Sequence, residues 1–469
     1  MSDRILNTGL EAADTRLSDP ARVVTLLALG GYLLLSACLL WRSIVLRPYS
    51  DMLDWIVHYD QFRANGDLAG YLLAPHNFHR LPWTFAALAL DMGVLGGTNL
   101  PLIALGTAGL GLAAALLARE AARAAPPGLA LGAGTVAAML ALMAGNILDA
   151  ATPINITYVQ CVGLSVLAIV LAQPASEGTR GPWLGLAALA CAMASAFGNA
   201  AGLALWPALA FVAWRQGDRR WLAAVTIVGA AFVALYAWGQ SPGGAVGGAT
   251  HDPAAAGLLF LNYLALPWTR AVPSLGWLGG LVVLALCLAA LLLKGRADAP
   301  RAERVACALI LFSLGTAAMA ALGRVADGGA SNVPLRYAVF LAPAHVGLLM
   351  LALPYADRLA RTKPAGTGGV LAAIAVLLLG QQAAMGLAAV RTSDVTRRLV
   401  TDFQSGLRAP QMRQAIHPDL DHAAAVYASL RHRALYQREL NLGSPPPAGR
   451  LRTAEGRAKA PAAGISGAN

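Results

Sequence analysis

Apolar runs of about 18 residues or more recur from residue 23 to residue 389, separated by short polar breaks, and that length suits a helix crossing a bilayer. The pattern predicts eleven spans: 23–41, 100–118, 128–147, 155–173, 182–197, 200–214, 221–239, 275–293, 305–323, 336–354 and 368–389. A further apolar piece, LPWTFAALALDMGVLGG at 81–97, carries Pro82 early, Asp91 in mid-run and two closing glycines. We read it as a helix lying in or dipping into the outer interface. Counting it as a span would move Arg119 and Arg123 to the far side. Leaving it out gathers Arg119, Arg123, Arg180, Arg215, Arg219, Arg220, Lys294, Arg296, Arg301, Arg304, Arg358, Arg361 and Lys363 on the cytoplasmic side, as the positive-inside bias requires. The fold class is therefore an all-α polytopic membrane protein.

This topology divides the 469 residues into a cytoplasmic segment (1–22), a membrane domain (23–390) whose first outer loop is 42–99, and an extracytoplasmic tail (391–469). The tail opens on an amphipathic helix, VTRRLVTDFQSGL, and from about residue 445 it is Pro, Gly and Ala rich and expected to be disordered. The amino terminus is polar and of mixed charge, without the short basic region of a signal peptide, so the first span is expected to remain in the mature protein.

Composition fits a membrane protein: 57% of residues are hydrophobic and 13% charged, against about 25% charged in soluble domains. The net charge of +11 comes almost wholly from arginine. Cytoplasmic loops account for it, with no call for nucleic acid. The five cysteines sit in apolar runs without metal or disulfide spacing. Abundant alanine and arginine with scarce lysine suggest a GC-rich bacterial genome, hence an inner-membrane location.

The first outer loop holds RPYSDMLDWIVHYDQFRANGD at 47–67. Ser50 is suited to cap a helix and Asp51 to sit against its positive end. A helix over 51–64 places Asp51, Asp54, His58 and Gln61 on one face, and Met52, Trp55, Ile56, Tyr59 and Phe62 on the other. Such a stripe suits a helix lying on the membrane with its acids merely solvated. YLLAPHNFHRLPW follows and crowds His76, Asn77, His79 and Arg80 into five positions.

The ordered set of an acidic pair, Gly66-Asp67, HNFHRLPW, an interfacial helix ending in GGTN and a span closing on basic residues resembles the GT-C superfamily of membrane glycosyltransferases. Its layout is similar to that of aminoarabinose lipid A transferases and protein O-mannosyltransferases. It departs from relatives with EHR and SRY segments by having FHR at 78–80 and LRY at 335–337. The resemblance covers about residues 42–125 by its motifs and the rest by topology.

The resemblance implies a polyprenyl-phosphate sugar as donor, inverting transfer at the extracytoplasmic face, and a glycan, lipid or protein as acceptor. It carries the first-loop catalytic acid onto Asp51, with Asp54 as alternate or orienting partner. A positioned carboxylate can accept the proton of the attacking hydroxyl. Some family members hold a divalent ion such as Mg2+ or Mn2+ on acids of this loop, and others work without one. Asp51 and Asp54 are the candidate ligands, with the histidines nearby.

The departing lipid phosphate needs arginines, which bind it through bidentate, charge-assisted hydrogen bonds. Arg324 and Arg336 flank the outer segment GRVADGGASNVPLRY, with Tyr337 adjacent. They serve equally as snorkelling anchors contacting membrane lipids. Arg80, Arg270, His58, His76, Asn77 and His79 complete the candidate substrate-binding set. A transporter or flippase of lipid-linked saccharide, and a non-catalytic scaffold of a glycan assembly complex, are the competing readings.

Overall fold

The computed structural model of the chain describes residues 20–77, 79–173, 181–239, 252–266, 275–294, 299–324, 333–362 and 364–436. Arg180, Arg270, Arg296, Lys363, most of the segment between Arg324 and Arg336, and the tail beyond 436 lie outside the described residues.

In chain order come α1 (Pro20–Ser43), α2 (Asp51–Asn65), α3 (Leu68–Leu73), β1 (Pro75–His76), β2 (His79–Arg80), α4 (Pro82–Val94), α5 (Leu100–Ala124), α6 (Ala130–Ala141), α7 (Ala144–Ala151), α8 (Ile156–Ala172), α9 (Pro182–Ala196) and α10 (Leu205–Arg215). They are followed by α11 (Arg219–Ala237), α12 (Pro253–Leu264), α13 (Gly276–Leu293), α14 (Arg301–Arg324), α15 (Ala338–Thr362), α16 (Pro364–Gln404), α17 (Met412–Ala415) and α18 (Leu420–His432). Among the described residues, eight helical segments are long and apolar enough to cross a membrane, or nine counting α6 and α7 as one span bent by 51°. The chain is an all-α polytopic membrane protein. The bend falls at Leu142 and Met143, and Asn146 Nδ2 donates to the Ala141 carbonyl at 2.8 Å, capping a group the break would orphan.

The bundle has two distinct poles. At one, buried Glu120 accepts from Arg123 and Arg301, Arg301 also donates to the Val170 carbonyl, Lys294 pairs with Glu303, and Arg215 donates to the Lys294 carbonyl. These contacts join the ends of α5, α8, α10, α13 and α14. They are the ends that the charge pattern assigns to the cytoplasm.

The opposite pole carries the first outer loop. Met52, Leu53, Trp55, Ile56 and Tyr59 of α2 are buried, so the apolar stripe faces a protein core. That core includes Phe85, Leu88 and Met92 of α4 and, from the tail, Val400, Phe403, Met412, Ile416, Val426, Tyr427 and Leu430. The tail is thus the other half of the loop's core. α16 runs without a break for 41 residues, out of the bundle and into this layer. It absorbs the amphipathic stretch 395–407 up to Gln404, since no proline interrupts it. Tail and loop are stitched together where the chain approaches Asp51. Arg397 donates to the Ile44 carbonyl at 2.8 Å, Tyr427 to the Pro48 carbonyl at 2.5 Å, and the Ser50 amide to the Ile416 carbonyl at 2.6 Å.

Gly66 and Asp67 serve as caps. Gly66, at φ 73°, closes α2 in the left-handed conformation that favours glycine. The Asp67 side chain accepts from the Gly70 amide at 2.8 Å and opens α3.

Asp91 explains why α4 ends where it does. Fully buried, its carboxylate accepts from the Thr98 amide (2.8 Å), the Thr98 hydroxyl (2.7 Å), the Asn99 amide (2.9 Å) and the Tyr436 hydroxyl (3.3 Å). It folds the GGTN turn back on α4 and ties in the tail. Asp91→Ala would leave these donors unpaired, at about 1–3 kcal/mol each. The expected result is a clearly lowered thermal midpoint and faster proteolysis of the tail in detergent, with unchanged values contradicting this role.

Candidate functional site

Asp51 opens α2. Ser50 does not cap the helix through its side chain as the sequence suggests: it sits at φ 53° and its hydroxyl lies 3.4 Å from Asp51 Oδ1. The tail's hold on the Ser50 amide fixes this conformation. The Asp51 side chain is 53% exposed and lies 3.7 Å from His76 Nε2. The His76 contact is the main influence keeping its pKa below the usual carboxylate range; partial burial opposes it, and the Arg336 charge and Ser50 add to it. Asp51 is therefore ionised at neutral pH.

His76 and His79 reach this place through a two-strand ribbon. Pro75 pairs with Arg80 and His76 with His79, while Asn77, exposed and at φ 52°, enters the turn. His79 Nδ1 accepts from the Ala200 amide at 3.1 Å, which puts the proton of the neutral ring on Nε2. Burial, with the charges of His76 and Arg324, lowers its pKa to about 4, against a smaller raising effect of Asp51.

A sign follows for stability. The unfolded chain protonates at this histidine near pH 6.5 while the folded chain does not, so the contribution is full above that pH and is lost as pH falls toward 4. The thermal midpoint is expected to drop from pH 7 to pH 5, and His79→Asn is expected to flatten part of that drop. An unchanged slope in the variant would contradict it.

Arg324 and Arg336 converge from the end of α14 and the turn before α15. Arg324 Nε donates to the Tyr337 hydroxyl at 3.1 Å, and the Arg336 guanidinium lies 5.7 Å from the centre of the same ring. Tyr337 packs on Tyr158 and Tyr263, with ring centroids at 5.5 and 5.2 Å. Arg336 is within electrostatic reach of both Asp51 and the fully buried Asp149. Three buried polar atoms of this cluster have no hydrogen-bond partner: Arg336 Nε, Asp149 Oδ2 and Tyr263 Oη. Buried polar atoms in folded proteins are nearly always paired, so these are the exceptions in this part of the fold.

Other expected site residues lie elsewhere. Arg80 is spent on the backbone: it donates to the carbonyls of Leu73, Tyr236 and Trp238, pinning the ribbon to the end of α11. His58 contacts the Tyr71 carbonyl at 3.0 Å and stacks among Tyr71 and Phe85. Asp54, one turn after Asp51, faces the tail, with His417 and His422 at 3.4 and 3.2 Å. The two acids thus have different neighbours, and among the described residues the ligand atoms that converge closely enough for a metal are those of Asp54, His417 and His422, without Asp51. Asp149, Tyr158 and Tyr263 join the site from α7, α8 and α12. None of the three is among the site residues expected from the sequence; the polar run DAATPINITYVQ at 149–160 is the signal that could have found the first two.

No protein-family model, curated protein or solved structure matches the chain.

Proposed function

We propose that this protein is a GT-C-like integral-membrane glycosyltransferase of eleven spans, moving a sugar from a polyprenyl-phosphate donor to a glycan, lipid or protein acceptor at the extracytoplasmic face of a bacterial inner membrane. Of the eleven expected spans, eight fall on helices long and apolar enough to cross a membrane, one falls on the bent pair α6–α7, and two fall on shorter apolar helices. The two shortest, Pro182–Ala196 and Ala200–Arg215, pack within the bundle, the first on α8 and the second on α11 and α14. At 1.5 Å per residue they reach only about 22–24 Å, so in this reading the bilayer thins at them or they tilt little.

The observation that carries the proposal is the convergence of Arg324 and Arg336 on Tyr337 at the pole opposite the basic ends, with Arg336 within electrostatic reach of Asp51 and with buried polar atoms without partners beside them. A lipid phosphate at the interface would meet the two guanidiniums while its tail stays in the bilayer. The acceptor hydroxyl would lie against Asp51. Its oxygen attacks the anomeric carbon, the bond to the phosphate oxygen breaks with the electron pair leaving on phosphate, and the proton passes to Asp51. Attack opposite the leaving group inverts the anomeric configuration. An ionised Asp51 is ready to accept that proton, and its low pKa makes it a weak base that acts late in the transfer.

Binding separates this reading from an apolar lipid site. Labelled polyprenyl-phosphate sugar should bind the purified protein and be displaced by polyprenyl phosphate. Equal displacement by uncharged polyprenol would remove the phosphate site.

A further inference from the structure

We propose that Asp54, His417 and His422 form a binding site for a borderline divalent cation, Zn2+ by ligand type, which fastens the carboxyl-terminal tail to the first outer loop. The inference is independent of the glycosyltransferase reading, because it concerns ion binding and the docking of the tail.

The three side chains come from α2, the segment before α18, and the first turn of α18. Their ligand atoms lie within 4.8 Å of one another. Asp54 Oδ1 is 3.4 Å from His417 Nε2 and 3.2 Å from His422 Nε2. Bonds of 2.0–2.1 Å in a tetrahedral zinc site place neighbouring ligand atoms about 3.3–3.4 Å apart. The two separations from Asp54 match that spacing, and the third, between the histidines, lies within 4.8 Å.

Two further observations point the same way. His422 Nε2 is buried and makes no hydrogen bond, although the carboxylate stands beside it. A nitrogen facing an oxygen at contact distance, but out of line for a hydrogen bond, suits two ligands aimed at a common centre. His417 is held in place by the backbone of Asp419: its Nδ1 lies 2.9 Å from the Asp419 carbonyl and 3.1 Å from the Asp419 amide, which aims Nε2 at Asp54, 3.4 Å from Oδ2; in the metal-free chain Nε2 donates to that carboxylate, and an ion would take the place of the proton. Asp419 accepts from the Asp421 and His422 amides at 3.0 Å each, capping α18 and fixing where His422 projects.

The donor set decides the ion. Two imidazoles and one carboxylate suit Zn2+ and its neighbours better than Mg2+ or Ca2+, which prefer all-oxygen shells. Side-chain exposures of 43% for Asp54, 31% for His422 and 13% for His417 leave one side open to a fourth ligand from solvent.

The test is a Zn2+ titration of the full chain in lipid nanodiscs after chelator treatment, followed by calorimetry and by proteolysis of the tail. One equivalent should bind per chain and slow tail cleavage. His417→Ala and His422→Ala should each weaken binding at least tenfold and abolish the zinc-dependent protection, while Mg2+ gives none. As a control for folding, each variant should keep the metal-free protein's thermal midpoint and cleavage pattern. Substoichiometric binding, or binding unchanged in both histidine variants, would overturn the site.

Discussion

Asp51→Ala is expected to lower sugar transfer by about 10²–10⁴-fold, the range a positioned acid–base group supplies. Asp51→Asn, which keeps the shape and the contacts with Ser50 and His76, is expected to be nearly as inactive. Both variants should fold. The carboxylate is half exposed at the start of α2, and surface changes away from buried networks usually shift stability by about 0.5 kcal/mol or less. The stability control has its own sign: the interactions that hold the Asp51 pKa low stabilise the protein above the usual carboxylate range, and that contribution fades as pH falls below it. Transfer rates and melting curves at pH 7 therefore isolate the chemistry. Activity within a fewfold of wild type would remove Asp51 from the mechanism.

The second large effect concerns Arg336. Hydrogen bonds to charged groups contribute about 1.5–3 kcal/mol, so Arg336→Ala should weaken donor binding by roughly 10–100-fold. Arg336→Lys restores the charge without the planar fork and should recover only part of the loss. Tyr337→Phe provides a contrast. It removes the hydroxyl that accepts from Arg324 while keeping the ring beside both arginines, and a smaller loss is expected. Equal affinity for donor in wild type and Arg336→Ala would show that the phosphate sits elsewhere.

The helices were legible in the sequence because hydrophobic length alone specifies a span, and the stripe of Met52, Trp55, Ile56 and Tyr59 specified α2 and its buried face. The stripe could not say what covers that face. Its cover is protein, and Asp54 meets His417 across 363 positions of sequence, a distance over which no local pattern reports. For the same reason HPDLDH at 417–422 carries no local pattern that points to Asp54. The histidines of HNFHR stood out by crowding, but their shared position depends on the pairing of His76 with His79, which rests on a turn too short to show a strand pattern.

Arg80 shows a different situation. An outer-face arginine suggested a phosphate ligand, and in the fold each of its three guanidinium nitrogens donates to a carbonyl at the end of α11 or at Leu73. Arg324 and Arg336, chosen on the same reasoning, meet instead at one tyrosine. What separates them is whether the nearby backbone is already satisfied, which only the packed structure displays.

The most direct measurement is turnover by the purified protein alone. In nanodiscs supplied with a panel of polyprenyl-phosphate sugars and candidate acceptors, the expected result is release of free polyprenyl phosphate matched mole for mole by glycosylated acceptor, with inverted anomeric configuration and loss of both products in Asp51→Ala. Intact lipid-linked sugar that crosses a vesicle membrane without cleavage, at a rate that Asp51→Ala does not change, would contradict it.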